Sequence, residues 1–384
     1  MIRPHGGTLI DCTVTAAARA EVERLADEAP RLPVDRFTAM DALNIAIGAY
    51  SPLRGFMAEA DYLSVIRQSA LAAGSTWTVP VLLHVPAGMA TKLRPDGRLT
   101  LVDSEAQPFA LVQVESVFEV AKREYAKLVF GTADQSHPGV DRLTSLPSTC
   151  VGGALTLLRE PELENRQYFI RPSETRKLFA EREWKSVAAF HTRNVPDRAH
   201  EYLQKLALES ADGLFVHPIV GWKKAGDFSQ RAQFETYEAL FEHYYPRDRV
   251  LLGGFYCQVR YAGPREAVFH AIVRQNFGCS HIIIGRDHAG VGRFYGVYDA
   301  HRAFDAVSDL EIVPLRFAGP FYCRRCGGIV TDRTCPHGGD DVSEISGTLV
   351  RKHVVNREAV PEYLLRPEVF DVLERLATEE AFVR

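Results

Sequence analysis

Two segments in the middle of the chain carry side chains that could bind an anion. The first, His191-Thr192-Arg193-Asn194, follows an apolar run and precedes Pro196, a residue type favoured in the first turn of a helix. The second, GRDHAGVG at residues 285–292, also follows an apolar run. A guanidinium matches two oxygens of a phosphate or sulfate, helix N-termini offer free N–H groups, and glycines allow close backbone approach. Together the two segments predict a pocket for an oxyanion of this kind.

Each segment also has a purely structural interpretation. Arg193 and Asn194 could cap the following helix, and the glycine-rich segment could be a tight turn with surface charges. Neither a Gly-x-Gly-x-x-Gly dinucleotide fingerprint nor a P-loop occurs in the sequence. Further basic side chains follow neighbouring apolar runs and could serve the same pocket or be solvated surface charges: His217, Lys224, Arg260 and Arg265.

Three cysteines and a histidine lie close together near the C-terminal end. They form the pattern Cys323-x-x-Cys326 and, after eight intervening residues, Cys335-x-His337. Three thiolates and an imidazole suit tetrahedral Zn²⁺, and a closed set of four ligands is typical of a structural site. We expect zinc to clamp the C-terminal region to the middle of the chain. The other cysteines lie in or beside apolar runs and are expected to be buried packing residues: Cys12, Cys150, Cys257 and Cys279.

The elements that must position these residues follow from hydrophobic periodicity. Up to about residue 155, short apolar runs separated by Pro, Gly and Asp predict a mostly β region. Beyond it, near-continuous apolar runs alternate with amphipathic segments, which predicts an α/β fold with a parallel, doubly wound sheet. The predicted strands are 186–190, 213–220, 249–259 and 281–285, and the predicted helices are 198–210, 229–244 and 264–277. Because ligands bind at the carboxyl ends of such strands, the two anion-binding segments are expected to meet there.

The overall charge excludes some classes of partner. The chain has 45 basic and 49 acidic side chains, a net charge of −4, so no global positive field attracts nucleic acid or anionic lipid. No apolar run approaches the ~20 residues that cross a bilayer, and the first residues lack the pattern of a signal peptide. We therefore expect a cytoplasmic protein that binds neither nucleic acid nor membrane.

Several blocks along the sequence match one known family: PHGG, IAIGAYSPLRGFM, VFGTADQSHPGV, VHPIVGWKKAGD, RYAGPREA, GRDHAG, YGVYDA and ISGTLVR. They resemble ATP sulfurylase, or sulfate adenylyltransferase, of the bacterial type. The resemblance implies three domains: a PUA-like N-terminal domain at 1–165, a Rossmann-like catalytic domain at 166–315 and a small zinc-bearing C-terminal domain at 316–384. It also implies a homodimer or a higher homo-oligomer.

The resemblance further implies an activity and roles for residues of both segments. The family joins ATP and sulfate into adenosine 5′-phosphosulfate and pyrophosphate by in-line attack of a sulfate oxygen on the α-phosphorus. Mg²⁺ is expected to accompany ATP, held mainly by the phosphates. The implied catalytic residues are Thr192, Arg193, Asn194 and His200. The implied oxyanion contacts are His191, Arg193 and Ala289. The implied nucleotide contacts are His191, Asn194, Asp197, His200, Gly285, Arg286, Asp287, His288 and Val313.

Two residues depart from the family's motifs. His191 stands where the family has the Gln of Gln-Thr-Arg-Asn, and Asp197 stands where it has the first His of His-x-x-His. A carboxylate facing a triphosphate is repulsive by roughly 1 kcal/mol or more at ~4 Å, unless it binds Mg²⁺, pairs with a cation or points away. Three functions therefore stay open: a sulfate adenylyltransferase, an adenylyl or nucleotidyl transferase that uses another oxyanion such as a phosphonate or sulfonate, and a non-catalytic nucleotide-binding paralogue.

Overall fold

The structure is a computed structural model that describes residues 1–221, 225–376 and 380–383. Its helices are α1 Arg19–Glu28, α2 Arg36–Ala46, α3 Glu59–Gln68, α4 Ala87–Ala90, α5 Lys122–Tyr125, α6 Pro138–Ser145, α7 Pro172–Glu181, α8 Arg198–Leu208, α9 Gln230–Tyr244, α10 Pro264–Asn276, α11 Asp299–Ala303, α12 Gly347–Asn356 and α13 Pro367–Arg375. Its strands are β1 Arg31–Pro33, β2 Gly55–Phe56, β3 Leu83–His84, β4 Arg98–Val102, β5 Pro108–Glu119, β6 Thr149–Leu157, β7 Val187–Thr192, β8 Gly213–Val220, β9 Val250–Leu252, β10 Phe255–Tyr256, β11 His281–Ile284, β12 Val313–Arg316, β13 Phe321–Cys323, β14 Gly328–Val330 and β15 Val342–Glu344.

The N-terminal region is built on a sheet with the strand order β1-β4-β5-β6-β2, in which β3 also pairs with β6. Within it β1 and β4 run parallel, and the other pairs are antiparallel. The prediction of a mostly β region was incomplete, because α1, α2 and α3 precede or interleave with the strands. Helix α2 is buried at every position from Ala39 to Ala46. A helix that is buried on all sides lacks the one-sided apolar stripe by which a helix is recognised in a sequence.

The middle region contains the predicted parallel sheet, with the strand order β10-β8-β7-β11-β12 and with β9 also on β8. All of its neighbouring pairs are parallel. Helices α8, α9 and α10 match the predicted helices to within two residues at each end. The predicted strand 249–259 is instead two short strands separated by Gly253 and Gly254. Both glycines pack tightly, since a Cβ there would lie 2.8 Å from a side-chain carbon of Ile170 or Val220.

The strand order of this sheet reverses between β7 and β11. From β7 the chain adds β8 and then β9 and β10 on one side, and it returns to place β11 on the other side of β7. The register of β11 on β7 aligns His281 with Ala188 and Ile282 with Ala189, so the carboxyl ends of both strands are level. A crevice outside such a reversal is the usual ligand site of an open α/β sheet.

The C-terminal region adds a small antiparallel sheet, β14-β13-β15, and the helices α12 and α13. Residues of α12 and α13 share an apolar core with α8 and α9, including Val350, Val369 and Leu373. This region is therefore packed on the helical layer of the parallel sheet.

Two arginines predicted as possible pocket residues join the N-terminal region to the parallel sheet instead. Arg260 Nη2 donates to Asp41 Oδ1 at 2.5 Å. Arg265 donates to the carbonyl oxygens of Val65 (3.0 Å), Thr78 (3.2 Å) and Ile66 (3.0 Å). Neither side chain is a solvated surface charge, and neither lines the cleft at the ends of β7 and β11.

Arg265 therefore predicts a stability effect. Arg265→Met keeps the length of the side chain and leaves three carbonyl oxygens without their donor, so we expect the free energy of unfolding to fall by about 2–4 kcal/mol. Chemical denaturation measures the change. Arg24→Met is the control, because Arg24 forms only exposed ion pairs within α1, and we expect no measurable change there. Equal losses in the two variants would contradict the assigned role of Arg265.

Candidate active site

The carboxyl ends of β7 and β11 open into a cavity of about 760 Å³. Its walls come from the segment after β7, the loop after β11 and a C-terminal stretch around β15 and the start of α12. Arg193 and Arg286 both line it, so the structure brings together the two segments that the sequence singled out. The volume is in the range of sites that bind small molecules and nucleotides.

The segment after β7 is held in a tight turn that leaves its arginine free. Asn194 N–H donates to Thr192 Oγ1 at 3.1 Å, and Gln233 Nε2 donates to the carbonyl oxygen of Asn194 at 3.3 Å. Thr192 is buried, whereas Arg193 is exposed. In the described part of the chain, Arg193 has no hydrogen bond or ion pair. The turn thus leaves the guanidinium of Arg193 available to a ligand, with Asp287 and Glu266 as nearby carboxylates that do not pair with it directly.

The loop after β11 is shaped by one close contact and by unusual backbone angles. A Cβ at Gly290 would lie 1.8 Å from Asp287 Oδ1, so a larger residue there would displace the Asp287 side chain. Asp287 and Ala289 have positive φ values of 57° and 58°, an uncommon conformation that is often found at functional sites. Arg286 lies against Gly319, is exposed, and has no hydrogen bond or ion pair among residues 1–221, 225–376 and 380–383.

Asp197 is the N-cap residue of α8. Its Oδ1 accepts the backbone N–H of His200 at 2.8 Å, and its own N–H donates to His200 Nδ1 at 3.3 Å. The carboxylate is buried. A negative charge at this position is favoured by the unpaired N–H groups and the dipole of the helix. The carboxylate is therefore engaged by its own helix, and among the described residues it forms no ion pair with Arg198 or His191.

His191 rests against a group of buried basic side chains at the back of the pocket. Arg274 Nη2 lies 2.6 Å from His191 Nδ1, and the centroids of the His191 and His270 rings are 3.7 Å apart. His270 Nδ1 in turn lies 3.2 Å from His288 Nε2. Burial is the main cause that lowers the pKa of His191 and His270 well below the usual value, and it lowers the pKa of His288 to about 3. All three rings are accordingly neutral at physiological pH.

Three further ionisable side chains near the pocket were not predicted from the sequence: Arg274, His270 and Glu266, which lie on α10. Every residue of α10 from Glu266 to Asn276 is buried. Their spacing could have identified them in the sequence. Three ionisable side chains at intervals of four residues occupy one face of an otherwise largely apolar helix. The C-terminal wall of the pocket was also missed, although the block ISGTLVR contains two of its residues, Ser346 and Gly347.

Two other expected residues do not come to the pocket in the structure. Val313 begins β12 and pairs with His281 at the start of β11, so it lies toward the opposite end of the strands from Gly285. His217 is fully buried within the sheet layer and does not line the cavity. Lys224 falls outside the described residues.

A smaller cavity of about 270 Å³ lies between α2, the N-terminal sheet and residues 258–262. Its charged groups are already paired, Asp35 with Arg142 and Asp41 with Arg260. It therefore lacks the unpaired arginines that distinguish the larger cavity.

The Cys/His cluster is assembled as its spacing predicted. His337 Nδ1 lies 3.4 Å from the Sγ atoms of Cys323, Cys326 and Cys335, and the Sγ atoms of Cys326 and Cys335 are 3.6 Å apart. All four candidate ligand atoms lie within 4.8 Å of one another, so the group could hold a metal ion. The other cysteines are free, with Cys150, Cys257 and Cys279 buried and Cys12 partly buried.

Comparisons with known proteins agree with this architecture. The sequence model of the ATP-sulfurylase family matches residues 166–376, and that of the PUA-like domain matches residues 2–160. Within the described residues, no helix combines the length and apolar content needed to cross a bilayer.

Similar proteins cover almost the whole chain. A sulfate adenylyltransferase of Hyperthermus butylicus is 46% identical over 374 residues, which is 97% of this chain and 95% of that protein. One of Symbiobacterium thermophilum is 45% identical over 374 residues, with the same coverage of 97% and 95%. A solved structure, the hexameric APS kinase from Thiobacillus denitrificans, superposes with a TM-score of 0.78 at 24% identity, over 98% of this chain and 68% of that one. The full-length matches and the family model show that this chain belongs to the ATP sulfurylase family.

Proposed function

We propose that this chain is a sulfate adenylyltransferase, which joins ATP and sulfate into adenosine 5′-phosphosulfate and pyrophosphate. The observation that carries the proposal is the pocket at the strand reversal, where two arginines that form no hydrogen bond or ion pair in the described part of the chain face one cavity. Relatives that bear this name match the chain over nearly its full length and support the same activity.

Sulfate is proposed to bind beside the turn after β7. Arg193 offers two N–H donors to two sulfate oxygens, and the backbone of Ala289 and the ring of His191 complete the contact. Thr192 and Asn194 hold the turn, since their hydrogen bond fixes the backbone on both sides of Arg193.

ATP is proposed to bind across the loop after β11 and the start of α8. Residues 285–288 supply a flexible glycine, the guanidinium of Arg286, the Asp287 segment and His288, and Asn194 and His200 face the phosphates from the other side. Asp197 contributes through its capping of α8, which keeps His200 in place. Val313 is left out of the proposed site because of its position in β12. Mg²⁺ is proposed to arrive with ATP and to neutralise part of the phosphate charge.

The proposed chemistry is mainly positioning and charge neutralisation. A sulfate oxygen attacks the α-phosphorus, the bond to the β-phosphate breaks in line, and pyrophosphate leaves with the bonding electrons. Arginines and fixed N–H donors stabilise the charge that develops on the phosphate oxygens in the transition state. No nucleophilic side chain takes part.

A transferase for a different oxyanion is the second candidate. It is favoured by one observation, namely that His191 replaces the family's glutamine at the proposed acceptor end of the pocket. A phosphonate or a sulfonate would use the same arginine and the same nucleotide loop.

The first test is pyrophosphate release from ATP with a panel of oxyanions. We expect release that depends on sulfate and that falls about 100-fold in kcat/KM in Arg193→Ala, because an arginine contact to the developing charge is lost. Arg293→Ala is the control, since Arg293 is exposed on the same loop region but does not line the cavity. Release with another acid alone would support the second candidate, and ATP binding without turnover would indicate a non-catalytic paralogue.

The capping role of Asp197 is tested by two substitutions. Asp197→Ala removes the side-chain acceptor, so we expect the free energy of unfolding to fall by about 1 kcal/mol. Asp197→Asn keeps an acceptor of nearly the same strength and is the matched control. Thermal or chemical denaturation compares the two. If Asn destabilised the protein as much as Ala, the carboxylate charge rather than the cap would be what matters.

We also propose that the Cys/His cluster binds structural zinc. The residue types and the 3.4–3.6 Å separations fit four ligands around one tetrahedral ion. Residues of the same small sheet line the pocket, including Phe321, Val342 and Glu344, so the metal would stabilise one pocket wall.

The zinc proposal predicts about one zinc per purified chain by metal analysis, and a lower unfolding midpoint after chelation. Cys326→Ala should lose the metal and lower the midpoint, and because Cys326 is exposed its loss creates no core cavity. Cys12→Ala, outside the cluster, should keep the metal. Equal metal content in the two variants would contradict the assignment.

We also propose a division of the chain into three domains, an oligomeric state and a cellular location. We take residues 1–165 as the PUA-like domain, 166–315 as the Rossmann-like catalytic domain and 316–384 as the zinc-bearing domain, and we propose a homodimer or higher homo-oligomer. A cytoplasmic location follows from ATP as substrate and from thiols that must stay reduced to bind zinc.

A further inference from the structure

A buried arginine lies directly behind His191. Arg274 is 0% exposed, and its guanidinium lies 4.6 Å from the centroid of the Phe255 ring. Its Nη2 contacts His191 Nδ1 at 2.6 Å and donates to the carbonyl oxygen of His217 at 3.2 Å. Its Nε and Nη1 have no hydrogen-bond partner in the described part of the chain, and no carboxylate there lies within ion-pair distance. A fully buried cation with so few partners calls for an explanation, because burying an unpaired charge is costly.

The contact between Arg274 and His191 has only one possible direction. A guanidinium has donors and no acceptor. Burial lowers the pKa of Arg274 to about 10, which still leaves the side chain protonated at neutral pH. His191 Nδ1 must therefore accept the hydrogen bond, so it carries no proton.

This direction fixes the tautomer of His191. The ring is neutral, because burial and the neighbouring positive groups lower its pKa well below the usual value. A neutral imidazole whose Nδ1 accepts has its single proton on Nε2. Nε2 has no hydrogen-bond partner among the described residues, and it is not shut off from solvent. It is therefore open to the pocket that His191 lines.

We propose that Arg274 is a positioning residue that makes His191 an obligate hydrogen-bond donor, through Nε2–H, to the oxyanion. The proposal rests on the function proposed above, since it takes the acceptor anion as the ligand of Nε2. The other tautomer would present a lone pair to an anionic oxygen, which is repulsive. With its tautomer fixed, a histidine can replace the N–H donor that a glutamine amide supplies.

Two neighbours on α10, His270 and Glu266, bear on the His191 ring and on the charge behind it. The His270 ring packs at 3.7 Å between centroids, which limits rotation of His191. The nearby carboxylate on the same helix, Glu266, already accepts the N–H groups of Arg260 and Ala262. No carboxylate in the described part of the chain forms an ion pair with Arg274, so its positive charge favours an anion in front of His191.

The kinetic test is a double-mutant cycle. Arg274→Met removes the donor and the charge, and a buried cation often tolerates replacement by an apolar side chain of similar length. We expect the KM for sulfate to rise about 10- to 100-fold, as for a lost hydrogen bond to a charged group, with little change in the KM for ATP. Arg274→Lys, which keeps a donor and the charge, should recover most of the loss.

The His191→Gln background supplies the matched control. A glutamine amide carries its own N–H₂ and has no tautomer to fix, so Arg274→Met should raise the KM for sulfate much less there. Equal effects of Arg274→Met in both backgrounds would overturn the proposal, because they would show that the arginine acts independently of the histidine.

A second readout does not depend on activity. Proton–nitrogen NMR spectra of protein labelled with ¹⁵N-histidine report which ring nitrogen carries the proton, and the signals of His191 are those missing in His191→Gln. We expect the Nε2–H tautomer in the unmodified protein and a mixture of tautomers in Arg274→Met. The Nδ1–H tautomer in the unmodified protein, or an unchanged spectrum in Arg274→Met, would refute the role of Arg274. An Nε2–H tautomer without sulfate-dependent turnover would instead refute the proposed function and support the positioning.

Discussion

Parallel pairing between β7 and β11 is the contact on which the pocket depends. Residues 192–194 and 285–290 are almost a hundred positions apart, and only the alignment of His281 with Ala188 makes the two strands end level with each other. A strand inserted between them would separate Arg193 from Arg286. The reversal of strand order leaves a crevice there instead, so one backbone register determines that two cationic loops face a single cavity.

Helix α10 supports this arrangement from behind. It connects the β8–β10 side of the sheet to β11, and each of its polar side chains has a different task. Glu266 accepts N–H groups of the preceding loop, Arg274 contacts His191, and Asn276 Nδ2 donates to the carbonyl oxygens of Ala49 and Ser51 in the N-terminal region. The hydrogen bonds of Glu266 and Asn276 compensate the burial of these two side chains, whereas Arg274 keeps two nitrogens without a partner in the described part of the chain. The same helix therefore fixes the pocket and joins the two larger regions.

Local patterns in the sequence predicted the parts of the site that lie at strand ends, since a polar, glycine-bearing loop after an apolar run is a local signal. The Cys/His cluster was likewise predictable, because its four ligands lie within fifteen residues. Arg260 and Arg265 were misassigned because a sequence does not show which carbonyl or carboxylate a long side chain reaches across a domain boundary. Val313 was carried over from a family pattern, whereas its position follows from the register of β12 on β11. The wall formed by residues 344–347 depends on packing between distant segments, which periodicity does not encode.

The two departures from the family's motifs, His191 and Asp197, are accommodated in the same physical way. Each replaces a residue near the proposed oxyanion site with one whose charge or proton could repel an anion, and each takes part in a hydrogen bond with its own surroundings. The carboxylate of Asp197 accepts the N–H of His200 at the start of α8, where a negative charge is favoured. The imidazole of His191 accepts from Arg274, which leaves its proton on the side of the pocket. The proposed phosphate-binding site can thus tolerate an acid and a histidine, because the protein scaffold rather than the ligand donates hydrogen bonds to the acceptor atoms that would repel an anion.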